Sequence, residues 1–226
     1  MILILRGHIR HSFQNKKLYN LVQQLSHDFP DLQIFIHTWN IYANQISWRQ
    51  MNANMNNVSP EIIYEYFADL SHLIQHIIID DDQQIQLIGN INGTINGGPM
   101  PIIGWKYYWF GKYRIVDYLY HNYPNKDEFV INCRFDVMEN SNNIDEKTII
   151  SFAINTYKLT DLITKNIFMY KDERHFGIDN IYMGNITTMN KLASQFHFHL
   201  DQILAKNTNT IHQEFLVFRI NEIMKN

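Results

Sequence analysis

A single cysteine, Cys133, stands in 226 residues, which excludes an intrachain disulfide framework and any cysteine-based zinc site and suits a reducing compartment. Excess positive charge is missing too. With 19 Lys and Arg against 22 Asp and Glu, the formal net charge is -3, so no global field exists to hold a polyphosphate backbone, and nucleic acid is not an expected partner. A local basic pocket stays open. Long apolar runs are absent: Met1 to Leu5 stops at Arg6, too short for a signal-peptide core or a bilayer span, and Ile77 to Ile79 and Pro101 to Ile103 are no longer. The expectation is a soluble, cytoplasmic protein without a transmembrane segment. Glycine is scarce, and four of the nine glycines fall in one stretch, Gly89 to Pro101. What is abundant is core material: 46% of residues are hydrophobic, with 13 Tyr and 14 Phe among them, enough for one ordinary globular domain and contrary to disorder.

Periodicity then predicts alternating strands and helices. Ile2 to Leu5 is a continuous β-prone run, as a strand buried on both faces requires, and it ends in the polar cluster Arg6-Gly7-His8-Ile9-Arg10. Leu18, Leu21, Val22 and Leu25 have helical spacing, Gln33 to His37 forms a second strand, and Ser59-Pro60-Glu61 opens a helix. Leu73 to Ile79 is a third strand running into Asp80-Asp81-Asp82. Gly89 to Pro101 is a loop, Ile103 to Tyr120 a long aromatic helix, and Phe129 to Cys133 a fourth strand leading into Arg134-Phe135-Asp136. This order predicts an α/β fold, Rossmann-like, with a mostly parallel central sheet flanked by helices and ligands beyond the carboxyl ends of the strands. Further on, Ile149 to Ile154 fits a strand, Asp179 to Gly184 a strand or loop, Thr188 to Leu204 a helix, and Phe215 to Ile220 a strand or helix.

The polar clusters at the strand ends are the candidate chemistry. No GxGxxG follows the first strand, so backbone cradling of phosphate is not the expected device; Arg6 and Arg10 can replace it through bidentate guanidinium contacts, or can pair with carboxylates on a surface loop. Trp39, after His37 and Thr38, fits either a base-stacking or a packing role. Asp80 and Asp82, or Asp136, could join phosphate oxygens around Mg²⁺ or Mn²⁺, although acidic triplets are also common on solvated turns. His197 and His199 lie two apart on a helix, do not share a face and have no evident third ligand. Cys133 is expected to be a buried strand residue, and GxSxG, HExxH and P-loop patterns are all absent.

Taken in order, Arg6-Gly7-His8-Ile9-Arg10, Phe35-Ile36-His37-Thr38-Trp39, Cys133-Arg134-Phe135-Asp136, Gly177-Ile178-Asp179-Asn180 with Gly184-Asn185, and Gln213-Glu214-Phe215-Leu216 resemble a known family. They are similar to small GT-A type glycosyltransferases of large DNA viruses, especially the chlorella virus enzymes that decorate the capsid glycan, and more distantly to bacterial surface-polysaccharide proteins. The resemblance implies a GT-A-like domain over residues 1–226, with a nucleotide-sugar-binding half (1–140) and an acceptor-side half (141–226). It implies transfer of a hexose or deoxyhexose from a UDP-sugar donor to a glycan or glycoprotein acceptor, with Mn²⁺ or Mg²⁺ as cofactor, in the host cytoplasm if the source is viral. Arg6, Gly7, His8, Arg10 and Arg134 would line the nucleotide pocket, and His37, Thr38 and Trp39 would approach the base. Asp136, or the pair Asp80 and Asp82, would meet the metal. Asp179 and Glu214 would serve catalysis on the acceptor side. Arg-Phe-Asp departs from the two-carboxylate motif of many such enzymes and leaves open which acidic cluster is used. Two other readings of the residues remain, a non-catalytic glycan-binding module and a sugar nucleotidyltransferase. In the family reading, Gly89 to Pro101 is a candidate lid over the donor.

Overall fold

The first strand, β1 (Ile2–Arg6), is buried at every position, which is why its sequence is apolar without alternation. The structure, a computed structural model, describes residues 1–46, 52–140, 144–159, 163–170, 177–210 and 212–224. After β1 come α1 (Lys17–Asp28), β2 (Gln33–Trp39), a small antiparallel pair β3 (Ile41–Ala43) and β4 (Asn54–Asn57), α2 (Pro60–Phe67) and β5 (Ile74–Asp80). The chain continues through α3 (Ile102–Asn122), β6 (Phe129–Arg134), the short α4 (Val137–Asn140), α5 (Glu146–Tyr157), β7 (Ile167–Tyr170), β8 (Gly177–Asn185), α6 (Ile186–Lys206) and α7 (Gln213–Ile223).

Six strands form one sheet in the order β5-β2-β1-β6-β8-β7. The first four are mutually parallel, and β8 pairs antiparallel with both β6 and β7. The fold class is therefore mixed α/β with a mostly parallel central sheet flanked by helices, as the sequence predicts. Alternate residues of the central strands feed two cores: Leu3, Leu5, Ile34, Ile36 and Ile131 pack with α1, α2 and α5, while Ile2, Ile4, Phe35 and Val130 pack with α3, α6 and α7.

One element differs from the expectation, and two open alternatives are decided. Ile149 to Ile154 is not a strand but part of α5, whose buried residues Ile149, Ala153 and Thr156 recur at helical spacing and whose first turn is capped by the Asp145 carboxylate accepting from the Thr148 N–H. The strand-or-helix segment Phe215 to Ile220 lies within α7, with Leu216 and Val217 buried. Asp179 to Gly184 is strand, inside β8.

Strand order fixes where a site can form. From β1 the chain winds outward through β2 to β5, then returns to place β6 on the other side of β1. A crevice opens between β1 and β6 where the winding reverses, at the carboxyl ends of the strands. In register there, His37, Arg6 and Arg134 stand side by side on β2, β1 and β6.

Candidate functional site

Arg6 is the last residue of β1 and is only 2% exposed. Its guanidinium donates to Asn132 Oδ1, to the Tyr108 hydroxyl at 3.2 Å, and to the carbonyls of Asp179 and Asn180 at 3.1 and 3.4 Å. Every one of those acceptors is neutral, and among the described residues no carboxylate lies within ion-pair distance of it. Its Nη1 is buried with no hydrogen-bond partner. A buried charge with neutral partners and an orphaned donor is costly to fold, so the groups around it bear directly on what the pocket accepts.

The chain leaves β1 through Gly7, whose φ of +88° is in the left-handed region that glycine tolerates. The turn is tied to β2: the Gly7 N–H donates to the His37 carbonyl and Thr38 Oγ1 donates to the Gly7 carbonyl, each at 3.0 Å. Thr38 is thus a buried brace of this turn. Arg10, at φ +55°, is a non-glycine residue in the same region, held by its N–H donating to the Tyr42 carbonyl at 2.9 Å. Such local strain persists where surrounding structure fixes it, commonly at functional positions.

Arg134, at the end of β6, donates to Asn180 Oδ1 at 3.1 Å and to Asp136 Oδ2 at 2.6 Å. Arg10 Nε approaches the same Asp136 oxygen at 3.4 Å. From α3, Lys112 enters the crevice with no solvent exposure, its Nζ 4.0 to 4.9 Å from the ring centroids of Trp109, Tyr108 and Tyr182 and 3.9 Å from Asp179 Oδ2. Burial, with the nearby Arg6 charge, pushes the Lys112 pKa well below that of an ordinary lysine, only partly opposed by Asp179. Tyr108 donates its hydroxyl to the Asp179 carbonyl at 2.8 Å.

His8 stacks on Trp39, ring centroids 5.8 Å apart, and its Nε2 is buried without a partner. Burial, reinforced by the Arg10 and Arg134 charges and by His37, lowers its pKa to about 3, so the ring is neutral near pH 7. Trp39 carries Phe110 at 5.8 Å in a second stacked pair; with His8 and Phe110 both against it and little of it exposed, it packs the wall of the crevice and is not an open stacking platform. His37 is fully buried, its Nε2 3.2 Å from Asp80 Oδ2, and it does not line the cavity.

Gly111 gives His37 its room. A Cβ at that position would stand 2.7 Å from His37 Cε1 and Nδ1. Helix propensity alone makes Gly→Ala favourable by about 1 kcal/mol, but overpacking a full core costs about 1–3 kcal/mol. Gly111→Ala is therefore expected to lower stability, read as an earlier urea midpoint with an unchanged slope.

Arg6, Gly7, His8, Arg10, Trp39, Arg134, Asp179 and Glu214 line one cavity of about 130 Å³ that opens to solvent. The three carboxylates nominated for a metal are not assembled there. Asp80 is engaged by His37 and by Arg114 at 3.0 Å; burial opposes its charge, but those two hydrogen bonds outweigh it and hold its pKa below the usual carboxylate value. Asp82 accepts from Asn44 Nδ2 at 2.7 Å. Asp136 is 1% exposed and carries both arginines. Among the described residues no group of three or more His, Cys, Asp or Glu is placed to hold a metal ion. This donor set does not fit the Mn²⁺ or Mg²⁺ that the resemblance implies, because a divalent cation at Asp136 would meet two guanidinium charges.

The remaining candidates fall away from the crevice. Burial pushes the Cys133 thiol up to about 12, so its nucleophilic thiolate is suppressed. His197 stacks on Tyr113 at 4.4 Å. The expected lid is pinned to the helical layer: the Asn90 N–H donates to Asp201 at 2.7 Å and Asn96 Nδ2 donates to the carbonyls of Asn207 and Thr210. Of that segment only Met100 lines the cavity. Sequence reasoning missed Tyr108 and Lys112 and gave Asn180, which stands in one of the quoted segments, no role; the available signal for Lys112 was the residue itself, a cation inside the aromatic run Trp105 to Tyr113.

No protein-family model matches the chain, and no curated protein matches its sequence. Among solved structures it is similar to a crystal structure of an active-site mutant of LgtC, with 10% identity over 96% of this chain and 69% of that one, at a TM-score of 0.46. It is also similar to a crystal structure of galactosyltransferase LgtC in complex with donor and acceptor sugar analogs, with 8% identity, the same coverage and the same TM-score.

Proposed function

We propose that the chain is a glycosyltransferase that moves a hexose or deoxyhexose from a UDP-sugar to a glycan or glycoprotein acceptor, in the making of a surface or capsid glycan. One observation carries the reading. The five sequence segments that resemble the viral enzymes are scattered from residue 6 to residue 216, yet each contributes to the lining of the same cavity: Arg6, Gly7, His8 and Arg10, then Trp39, Arg134, Asp179 with Asn180, and Gln213 with Glu214. A cavity of this size has room for about one ring-sized group, so the rest of the donor would lie across its mouth.

In this reading the bond between the sugar C1 and the diphosphate oxygen breaks with its electron pair leaving on the diphosphate, and C1 bonds to the acceptor oxygen. The arginines face the charge that develops on the leaving group, where preorganised donors contribute most. The acceptor proton passes to a carboxylate if the anomeric centre inverts, and Asp179 and Glu214 are the carboxylates lining the cavity. Residues 1–140 supply the donor side and 141–226 the acceptor side.

UDP is expected to raise the melting temperature, since a ligand bound only by the folded state stabilises it by about 2.7 kcal/mol at one hundred times its Kd. Slow UDP release from a UDP-sugar would establish turnover. An unchanged melting curve at millimolar UDP would overturn the reading, and stabilisation by other nucleotides alone would move the donor class. Glu214→Gln and Asp179→Asn, assayed with acceptor present, identify the base: its loss should lower kcat by about 10²-fold or more with donor affinity retained.

A further inference from the structure

We propose that the site meets the charge of a diphosphate with side-chain cations, Arg6, Arg10 and Arg134, so that anion binding needs no divalent metal. This rests on the glycosyltransferase reading only for the source of the diphosphate; the site chemistry stands on its own observations. The first is Arg6. It is a buried guanidinium whose hydrogen-bond acceptors are an amide, a phenol and two peptide carbonyls, with Nη1 left over. Those contacts fix its plane at the cavity and leave it short of a counter-charge, which a phosphoryl oxygen supplies together with the missing acceptor.

The second observation is the neighbourhood. Arg10 and Arg134 line the cavity, and both approach the Asp136 carboxylate. Lys112 sits in the same wall against Asp179. The lining thus carries Arg6, Arg10, Lys112 and Arg134 against Asp179 and Glu214, a local excess of basic groups in a chain whose formal net charge is -3. His8, with its orphaned Nε2, adds a neutral hydrogen-bonding group at the same place. The third observation is that the acidic side chains are otherwise engaged: Asp80 by His37 and Arg114, Asp82 by Asn44, and Asp136 by the two arginines. Guanidinium forks match phosphoryl oxygens bidentately, which a metal bridge would otherwise have to provide.

Titration of the full chain with inorganic pyrophosphate in excess EDTA, followed by calorimetry, tests the proposal. Saturable binding is expected, weakening as salt is raised. Arg134→Gln, at the cavity rim, and Arg6→Gln are each expected to weaken it about tenfold or more. Circular dichroism checks folding, and if Arg6→Gln fails to fold, Arg134→Gln decides. Binding that appears only with added Mn²⁺ or Mg²⁺, absence of binding in both conditions, or binding in EDTA indifferent to the substituted arginines would overturn the proposal. The two readings separate: pyrophosphate bound in EDTA with no affinity for UDP or UDP-sugars keeps the cationic site and sinks the transferase, whereas UDP bound and turned over only with metal does the reverse.

Discussion

Asp136→Asn is expected to strengthen pyrophosphate binding in EDTA by about tenfold while lowering stability by about 3 kcal/mol. The Asp136 carboxylate is almost fully buried, 2.6 Å from Arg134 Nη2 and 3.4 Å from Arg10 Nε. Removing its charge and keeping its shape leaves two guanidiniums without that counter-ion. Breaking a buried pair by neutralising one member costs about 3–5 kcal/mol, and the lower end applies because both arginines keep some contact with solvent. The same loss frees the arginines for an incoming anion, and tenfold corresponds to about 1.4 kcal/mol. If Asp136 were a metal ligand, the outcome would differ: the amide would abolish metal-dependent binding and give no gain in EDTA. Urea unfolding and calorimetry on one preparation read both quantities.

The parallel half of the sheet was legible because its strands are buried on both faces. Ile2 to Leu5 is apolar without alternation, Phe129 to Cys133 is apolar but for Asn132, and each runs into an arginine at the strand end, Arg6 and Arg134. The second half was less legible. Ile149, Ile150, Phe152 and Ile154, β-branched or aromatic, satisfy a strand pattern as well as a helix, and only the wider spacing of Ile149, Ala153 and Thr156, with Asp145 as cap, separates the two. The antiparallel placement of β8 depends on pairing with β6 across about fifty residues of chain and leaves no local mark.

The site was legible where strand ends carry it and opaque where side chains meet across elements. Nothing in Asp80-Asp81-Asp82 tells that His37 from β2 and Arg114 from α3 converge on Asp80. Two carboxylates at metal-ligand spacing are a composition signal, and the competing cations come from distant sequence. Glycine richness in Gly89 to Pro101 reported backbone turns, with Gly89, Gly93 and Gly97 at positive φ, but not the hydrogen bonds from Asn90 and Asn96 that pin the segment to Asp201 and Asn207. Lys112 was hidden by the aromatic pattern around it, because a helix segment so rich in aromatics is read as core despite the lysines within it.

That cation gives the other large expected effect: Lys112→Met should stabilise the chain at pH 7 by about 1–4 kcal/mol while weakening pyrophosphate binding. The Lys112 ammonium is fully buried against Tyr108, Trp109 and Tyr182, and it faces Arg6 and Arg134 as well as Asp179. Its folded pKa is lowered, so between that value and the ordinary lysine value near about 10.4 the unfolded chain binds more protons than the folded one, and stability rises with pH across the window. Methionine fills the same space without a charge to desolvate and removes that slope. Asp179 is not stranded by the change, since Arg6 and Arg134 remain among the charges near this cluster and Lys112 is only a 3.9 Å partner. The stability gap between Lys112→Met and the unsubstituted chain should therefore be widest near neutral pH and shrink toward pH 10. A methionine variant less stable at pH 7, with the same pH slope as the unsubstituted chain, would show that the Lys112 charge is compensated in the folded state.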